Sequence, residues 1–340
     1  MRVKTEAQGA GPAGTNAVAH AVNNAVTHAV THAVTHAAVH PAHRARAGVG
    51  VRAASNALPV ATVLLALLLA WYLGCIGLNR QGVIERVLAD TPGWTTRDLV
   101  AATWSMERPV LPAPHQVAAD LWHSITGWPV NSPRNLLLHT AVTAQSTLVG
   151  FVLGTLLGVL LAAAIVHSRT LDRALLPWIV ASQTVPVLAI APIVLVILGS
   201  LGFAGIAPKA AIAMYLCFFP VTVAMVQGLR APQRIDTELL HTYAATRWQA
   251  FWLLRLPAAL PYLFPSLRVA IAAGLVGAMV AELPTGAQAG LGARLLTGSY
   301  YGNTVGIWSA LVMSALLGLA LTAAVAAVER LVLRRQRAGA

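Results

Sequence analysis

The sequence predicts an all-α, polytopic integral membrane bundle of about six transmembrane helices. Three observations carry that prediction. Charged residues make up only 10% of the 340-residue chain and hydrophobic ones 57%, with a mean hydropathy of +0.69, whereas soluble domains carry about a quarter charged residues. So few charges cannot cover a water-facing surface on a chain this long. Apolar stretches long enough to cross a hydrocarbon core recur along the chain. The charge that remains is basic, 23 Lys+Arg against 11 Asp+Glu for a net of +12, and it falls in short runs between the apolar stretches. A basic excess suits nucleic acid or an anionic membrane face; its placement here selects membrane lipids and excludes nucleic acid.

Residues 1–56 read as a low-complexity cytoplasmic tail rich in His, Ala, Val and Thr. His28, His32, His36 and His40 are four apart, which on a helix would stack imidazoles on one face as metal ligands need. The neighbouring valines and threonines are weak helix formers and no carboxylate joins the histidines, which favours a repetitive extension over a metal site. The first apolar run, 57–78, has no charge and is too long for the core of a secretory signal. Residues 79–134 form a polar connection with short amphipathic pieces and interleaved tryptophans (Trp94, Trp104, Trp122, Trp128), as expected along a membrane interface. The transport-type helical domain is expected over 135–333, with spans near 137–166, 174–199, 210–229, 259–284 and 305–329, followed by a basic tail, 334–340. Cys75 and Cys217, each inside an apolar run, read as small packing residues.

Lys and Arg set the orientation. Arg44, Arg46 and Arg52 precede the first span; Arg169 and Arg173 follow the second; Arg230, Arg234, Arg247 and Arg255 fall between the fourth and fifth; Arg330, Arg334, Arg335 and Arg337 end the chain. The opposite short loops hold Lys209 and Arg294, and the long 79–134 connection balances its arginines with acids. The positive-inside rule puts both termini and the loop 230–258 in the cytoplasm.

That loop is not built like a linker. Asp236 precedes a short helical run in which Leu239, Leu240 and Tyr243 share an apolar face, and Pro257 and Pro261 mark the start of the fifth span. A short helix with an exposed apolar face either inserts into a partner's groove or lies flat on the inner leaflet. From Glu238 the sequence resembles the EAA loop of bacterial ABC importer permeases: Glu, Ala, Ala, three residues, Gly, nine residues, then Ile-x-Leu-Pro. Glu238, Leu239 and Leu240 occupy the first three positions, Ala244 the glycine, Leu254 the isoleucine, and Leu256 with Pro257 the Leu-Pro. The spacing is intact. Of the departures, Ala244 matters most, because glycine takes a left-handed turn freely and alanine does so at a cost.

The stretch LPWIVASQTVPVLAIAPIVLVILG and the later VAELPTGAQAGLGARLL are similar to segments of permeases for nitrate, sulfonates, taurine and pyrimidine compounds. The resemblance covers about residues 135–333. It implies a membrane permease that works with a cytoplasmic ATP-binding subunit, an extracytoplasmic substrate-binding protein and a second permease copy. It implies ATPase contact through Asp236, Glu238, Leu239, Leu240, Tyr243, Ala244, Arg247, Leu256 and Pro257. The second of those stretches is nearer to the pyrimidine or riboflavin branch than to sulfonate permeases.

Polar groups at bilayer depth line a pathway or bond between helices. Gln145, then Ser182, Gln183 and Thr184 before Pro186, and Glu282 are the pathway candidates. Pro186 frees a backbone carbonyl that a neighbour or water must satisfy. Glu282 lines an outer gate, holds a cation or, as an interfacial residue, pairs with Arg294 or a backbone amide, while Arg268 is placed to snorkel to the inner interface. Gly274 and Gly277 suit close helix packing. The chain lacks a phosphate-cradling G-x-x-x-x-G-K-[ST] motif, so it is not expected to hydrolyse ATP itself. No catalytic constellation, metal site or cofactor is expected outside the tail. Two rival readings are an ion-coupled secondary carrier, for which the chain shows neither an internal repeat nor several buried acids, and a non-transporting scaffold with a metal-binding His tail.

Overall fold

The computed structural model describes residues 49–89, 93–284 and 289–338, and among them every regular element is helical. Twelve α-helices follow one another: α1 Val49–Arg86, α2 Thr96–Ser105, α3 Pro114–Thr126, α4 Leu136–His167, α5 Arg169–Ser182, α6 Val187–Ser200, α7 Ile206–Leu229, α8 Arg234–Thr242, α9 Arg247–Ala250, α10 Leu256–Glu282, α11 Leu291–Tyr300 and α12 Thr304–Ala338. A π-helical turn, Phe251–Arg255, joins α9 to α10. Residues 63–340 form one compact unit; of residues 1–62, the described part is the helical stretch from Val49. The histidine repeat and Arg44 and Arg46 lie outside the described residues, as do residues 285–288.

Five helical segments are long and apolar enough to span: Pro59–Arg86, Leu136–His167, Ile206–Leu229, Arg247–Glu282 and Thr304–Arg334. The expected span at 174–199 is not one continuous helix. Instead α5 and α6 meet at 102°, as a broken span or a re-entrant loop. The cause is local. Pro186 has no N–H to give the carbonyl of Ser182 and forces the preceding residue out of helical geometry. The freed Ser182 carbonyl instead accepts the hydroxyl of Tyr215 in α7, so a neighbouring helix satisfies the group that the break exposes.

α4, α7 and α10 build the core. In α4, Gly150, Gly154 and Gly158 recur every fourth residue, a signal present in the sequence and passed over there. A Cβ on Gly150 would fall 2.4 Å from the Ala213 Cβ, and one on Gly154 would fall 2.5 Å from the Cys217 Cβ. Only glycine lets these backbones touch, and in lipid such contact replaces the hydrophobic drive for helix association. Gly274 and Gly277 of α10 pack on the other side of α7, within 2.6 Å of the Cys217 Sγ and 2.9 Å of the Leu216 Cδ1 by the same measure. Cys217 is thus a buried packing residue. The Arg268 guanidinium, still 45% exposed, pairs with Glu329 of α12, and a charge near the end of a span is cheaper paired than alone.

The connection before α4 is pinned by amides. Asn79 accepts from the Val110 and Leu111 amides (2.7 and 3.2 Å) and donates to the Leu111 carbonyl (2.8 Å), and the Trp71 indole donates to the Pro112 carbonyl (3.0 Å). Asn135 donates to the Ile125 and Trp128 carbonyls and caps α4 by accepting from the Leu137 amide (2.8 Å). At the start of α2, the Thr95 hydroxyl and then its amide hold the Asp98 carboxyl below the usual carboxylate range.

Candidate functional site

The loop between α7 and α10 folds as a helix on a stiff base. Pro232 prevents continuation of α7. Asp236 then accepts from the Gln233 amide at 3.2 Å, a carboxylate at a helix start. α8 ends in a Schellman turn: the Ala244 amide bonds the His241 carbonyl (3.0 Å) and the Ala245 amide the Leu240 carbonyl (3.1 Å). That geometry needs a left-handed residue at Ala244, whose φ is +55°, and among the described residues it is the one non-glycine with positive φ. Thr246 opens the next helix, exchanging hydrogen bonds with Gln249.

No residue of α8 is buried. Ile235, Leu239 and Tyr243, at successive fourth positions, are 69%, 57% and 78% exposed and form one apolar stripe. Leu240 is half-buried, so the exposed face turns on Ile235 rather than on Leu240. Glu238 pairs with Arg234 one turn back (2.9 Å), and Arg247 is exposed.

The base is rigid because Phe251 is buried, packed with His167 (centroids 5.1 Å), Trp248 (6.1 Å) and Trp252 (5.7 Å). It joins a core cluster with Ile165, Val221, Met225, Leu229 and Ala259, against which Leu256 packs. The π-turn follows from Pro257: with no N–H there to bond Leu253, the Leu256 amide reaches back to Phe251. The Leu-Pro of the motif thereby sets the rotation between α9 and the span it leads into.

At the other end of the bundle Glu282 is fully buried. The Thr143 hydroxyl donates to it (2.9 Å), the Gly292 amide donates (2.8 Å), and the cation beside it is Lys209 at 3.7 Å rather than Arg294. The Lys209 ammonium also donates to the Ala289 carbonyl (2.9 Å) and Thr143 accepts from the Leu291 amide (2.8 Å). His139 completes the clamp: its Nδ1 lies 3.0 Å from the Gly290 amide and 3.1 Å from the Gly290 carbonyl, and its Nε2 lies 2.9 Å from the Pro133 carbonyl. A Cβ on Gly290 would sit 2.2 Å from the Glu282 carboxyl carbon. A carboxylate is thus locked onto the first amides of α11, where the helix dipole favours it. Of this cluster sequence reasoning named only Glu282. A basic residue and an acid at the same end of two spans, followed by Gly-Leu-Gly, was the available clue.

The remaining pathway candidates gather only in part. Ser182 and Thr184 spend their hydroxyls on the carbonyls of Ile179 and Ala181 (2.7 Å each) at the helix break. Gln183 is exposed there; its backbone amide donates to the Val180 carbonyl (3.2 Å), and its side chain makes no hydrogen bond among the described residues. Gln145 is exposed on α4, away from that break in sequence, while Ser146 is buried and bonded to the Val142 carbonyl (3.0 Å).

Comparison with known proteins bears on this arrangement. Residues 154–337 match the family described as binding-protein-dependent transport system inner membrane component. The chain is 34% identical over 197 residues to the formylaminopyrimidine transport permease ThiX of Halalkalibacterium halodurans, covering 57% of this chain and 76% of the relative. It is 33% identical over 225 residues to the riboflavin transport system permease RibX of Chloroflexus aurantiacus, 66% and 80% of the two chains. It is 26% identical over 241 residues to the taurine transport permease TauC of Escherichia coli, 71% and 84%.

Proposed function

Since this chain belongs to the family of inner-membrane components of binding-protein-dependent transport systems, we propose that α8 is the lever through which a separate ATPase drives it. The chain is an ABC importer permease, a multi-pass membrane subunit that is not itself an enzyme. Family membership implies an ATP-binding subunit and a substrate-binding protein as partners. The observation that carries the lever reading is the bare stripe Ile235–Leu239–Tyr243 on a helix with no buried residue, standing on a base packed into the core. A helix like this gains stability by seating in a groove, and an ATPase that closes on ATP displaces it and the spans behind it. The basic residues around α8 support its cytoplasmic placement, with both chain termini on that side. Two copies of the chain form the pathway, and the exposed Gln183 at the α5–α6 break is the residue best placed to line it.

The transported solute belongs to the pyrimidine- or riboflavin-like compounds, with sulfonate- or nitrate-type anions as the second reading. Identities of 34% and 33% to permeases named for formylaminopyrimidine and riboflavin, against 26% for taurine, support that order. Affinity purification tests the lever. The native chain retains an ATPase, and L239D, placing a charge in the centre of the stripe, releases it while the permease still inserts. An L239D chain that holds its ATPase and transports normally overturns the reading.

A further inference from the structure

We propose that the end of the bundle carrying α8 contains a binding site for a phosphate-bearing anion, distinct from the apolar stripe. An open pocket of about 450 Å³ lies where the ends of α4 and α7, the start of α5, the base of α8 and the π-turn meet. Four guanidinium groups line it, from Arg169, Arg230, Arg234 and Arg255, against the single carboxylate of Asp172. That carboxylate is committed to Arg230 at 2.9 Å, and Arg234 pairs with Glu238 at 2.9 Å. Among the described residues neither Arg169 nor Arg255 has a carboxylate partner. Two forked cations therefore line a concavity with no carboxylate among the described residues paired to them, and guanidinium forks match phosphate oxygens two at a time.

Two further features favour phosphate over a bare counter-ion. Arg169 and Arg234 are the first residues of α5 and α8, so two helix N-termini border the same pocket. The remaining lining includes Val166, partly exposed, and Ile165 and Leu229, each about 1% exposed, at the ends of two candidate spans, the depth at which lipid headgroups lie. An anionic lipid headgroup and free phosphate present the same oxygens to these guanidinium groups, and position at the span ends favours the headgroup. Because the pocket reaches Thr237 within α8, a bound anion would tie the proposed lever to the ends of three helices and stiffen its base. That consequence rests on the lever reading; the binding site does not.

The test uses the purified permease with its ATPase, and separately the permease chain alone. Native mass spectrometry follows binding of dioctanoyl phosphatidylglycerol, dioctanoyl phosphatidylcholine and inorganic phosphate to the native chain, R169Q, R255Q and the R169K/R255K pair. Saturable phosphatidylglycerol binding is expected, weakened about tenfold by either glutamine variant and partly restored by the lysines, with phosphatidylcholine much weaker. Inorganic phosphate that binds with the same variant sensitivity, in place of the lipid, identifies the free ion as the source and still supports the site. Equal binding of the two lipids, or binding that ignores both glutamine variants, overturns it. Loss of the ATPase from the native chain would sink the lever reading while leaving the lipid measurement on the permease alone intact.

Discussion

Replacing Ala244 with glycine should stabilise the protein, against the usual direction for alanine to glycine. The C-terminal turn of α8 requires φ of +55° at this residue, and an L side chain there costs about 1–2 kcal/mol. Glycine removes that strain but adds freedom to the unfolded chain, returning about 0.5–1 kcal/mol. The net gain is therefore roughly 0.5–1 kcal/mol, equivalent to about twofold to fivefold in an opening equilibrium. The two bonds that close the turn, from the Ala244 and Ala245 amides, provide the readout. Hydrogen exchange of these amides in the detergent-solubilised protein should slow by that factor in A244G. A245G, one residue on and without positive φ, should speed it instead. If A244G speeds exchange, or the two variants behave alike, the turn is not left-handed at this position and the assignment of Ala244 to the glycine place of the motif loses its physical basis.

Three other outcomes follow from the packing. E282A removes the carboxylate between Lys209, Thr143 and the Gly292 amide and should cost about 3–5 kcal/mol, read as a lowered thermal midpoint; adding K209M should recover part of it, and additive losses would contradict the pairing. G154V places a methyl-bearing Cβ 2.5 Å from that of Cys217 and should cost about 1–3 kcal/mol or more, whereas G199A, with nothing within 4 Å, should leave the midpoint unchanged or slightly raised. Y215F takes away the hydroxyl that satisfies the Ser182 carbonyl and should lower the midpoint by the equivalent of about 1–3 kcal/mol; an unaltered midpoint would mean that the carbonyl finds another donor.

Glu282 and Gln183 show where sequence reading stops. Both are polar residues in apolar runs, and the sequence treats them alike. In the fold one is sealed by three other parts of the chain, α4, the start of α7 and the start of α11, and the other is exposed at a helix break. The distinction depends on partners at 143, 209 and 292, up to 139 positions away, which no local pattern encodes.

The amino-acid order alone determined that this chain lives in a membrane as helices, because the solvation of its side chains and backbone leaves no other state in lipid. It also determined the spacing of the α8 loop and the need for a special turn at Ala244. What only tertiary structure decided was where charges and breaks end up: the 102° bend after α5, the pairing of Arg268 with Glu329, the burial of Glu282 and the gathering of four arginines in one pocket. Local propensity acts over a turn or two of helix, whereas a buried charge takes its partner from whichever distant segment packing brings within reach.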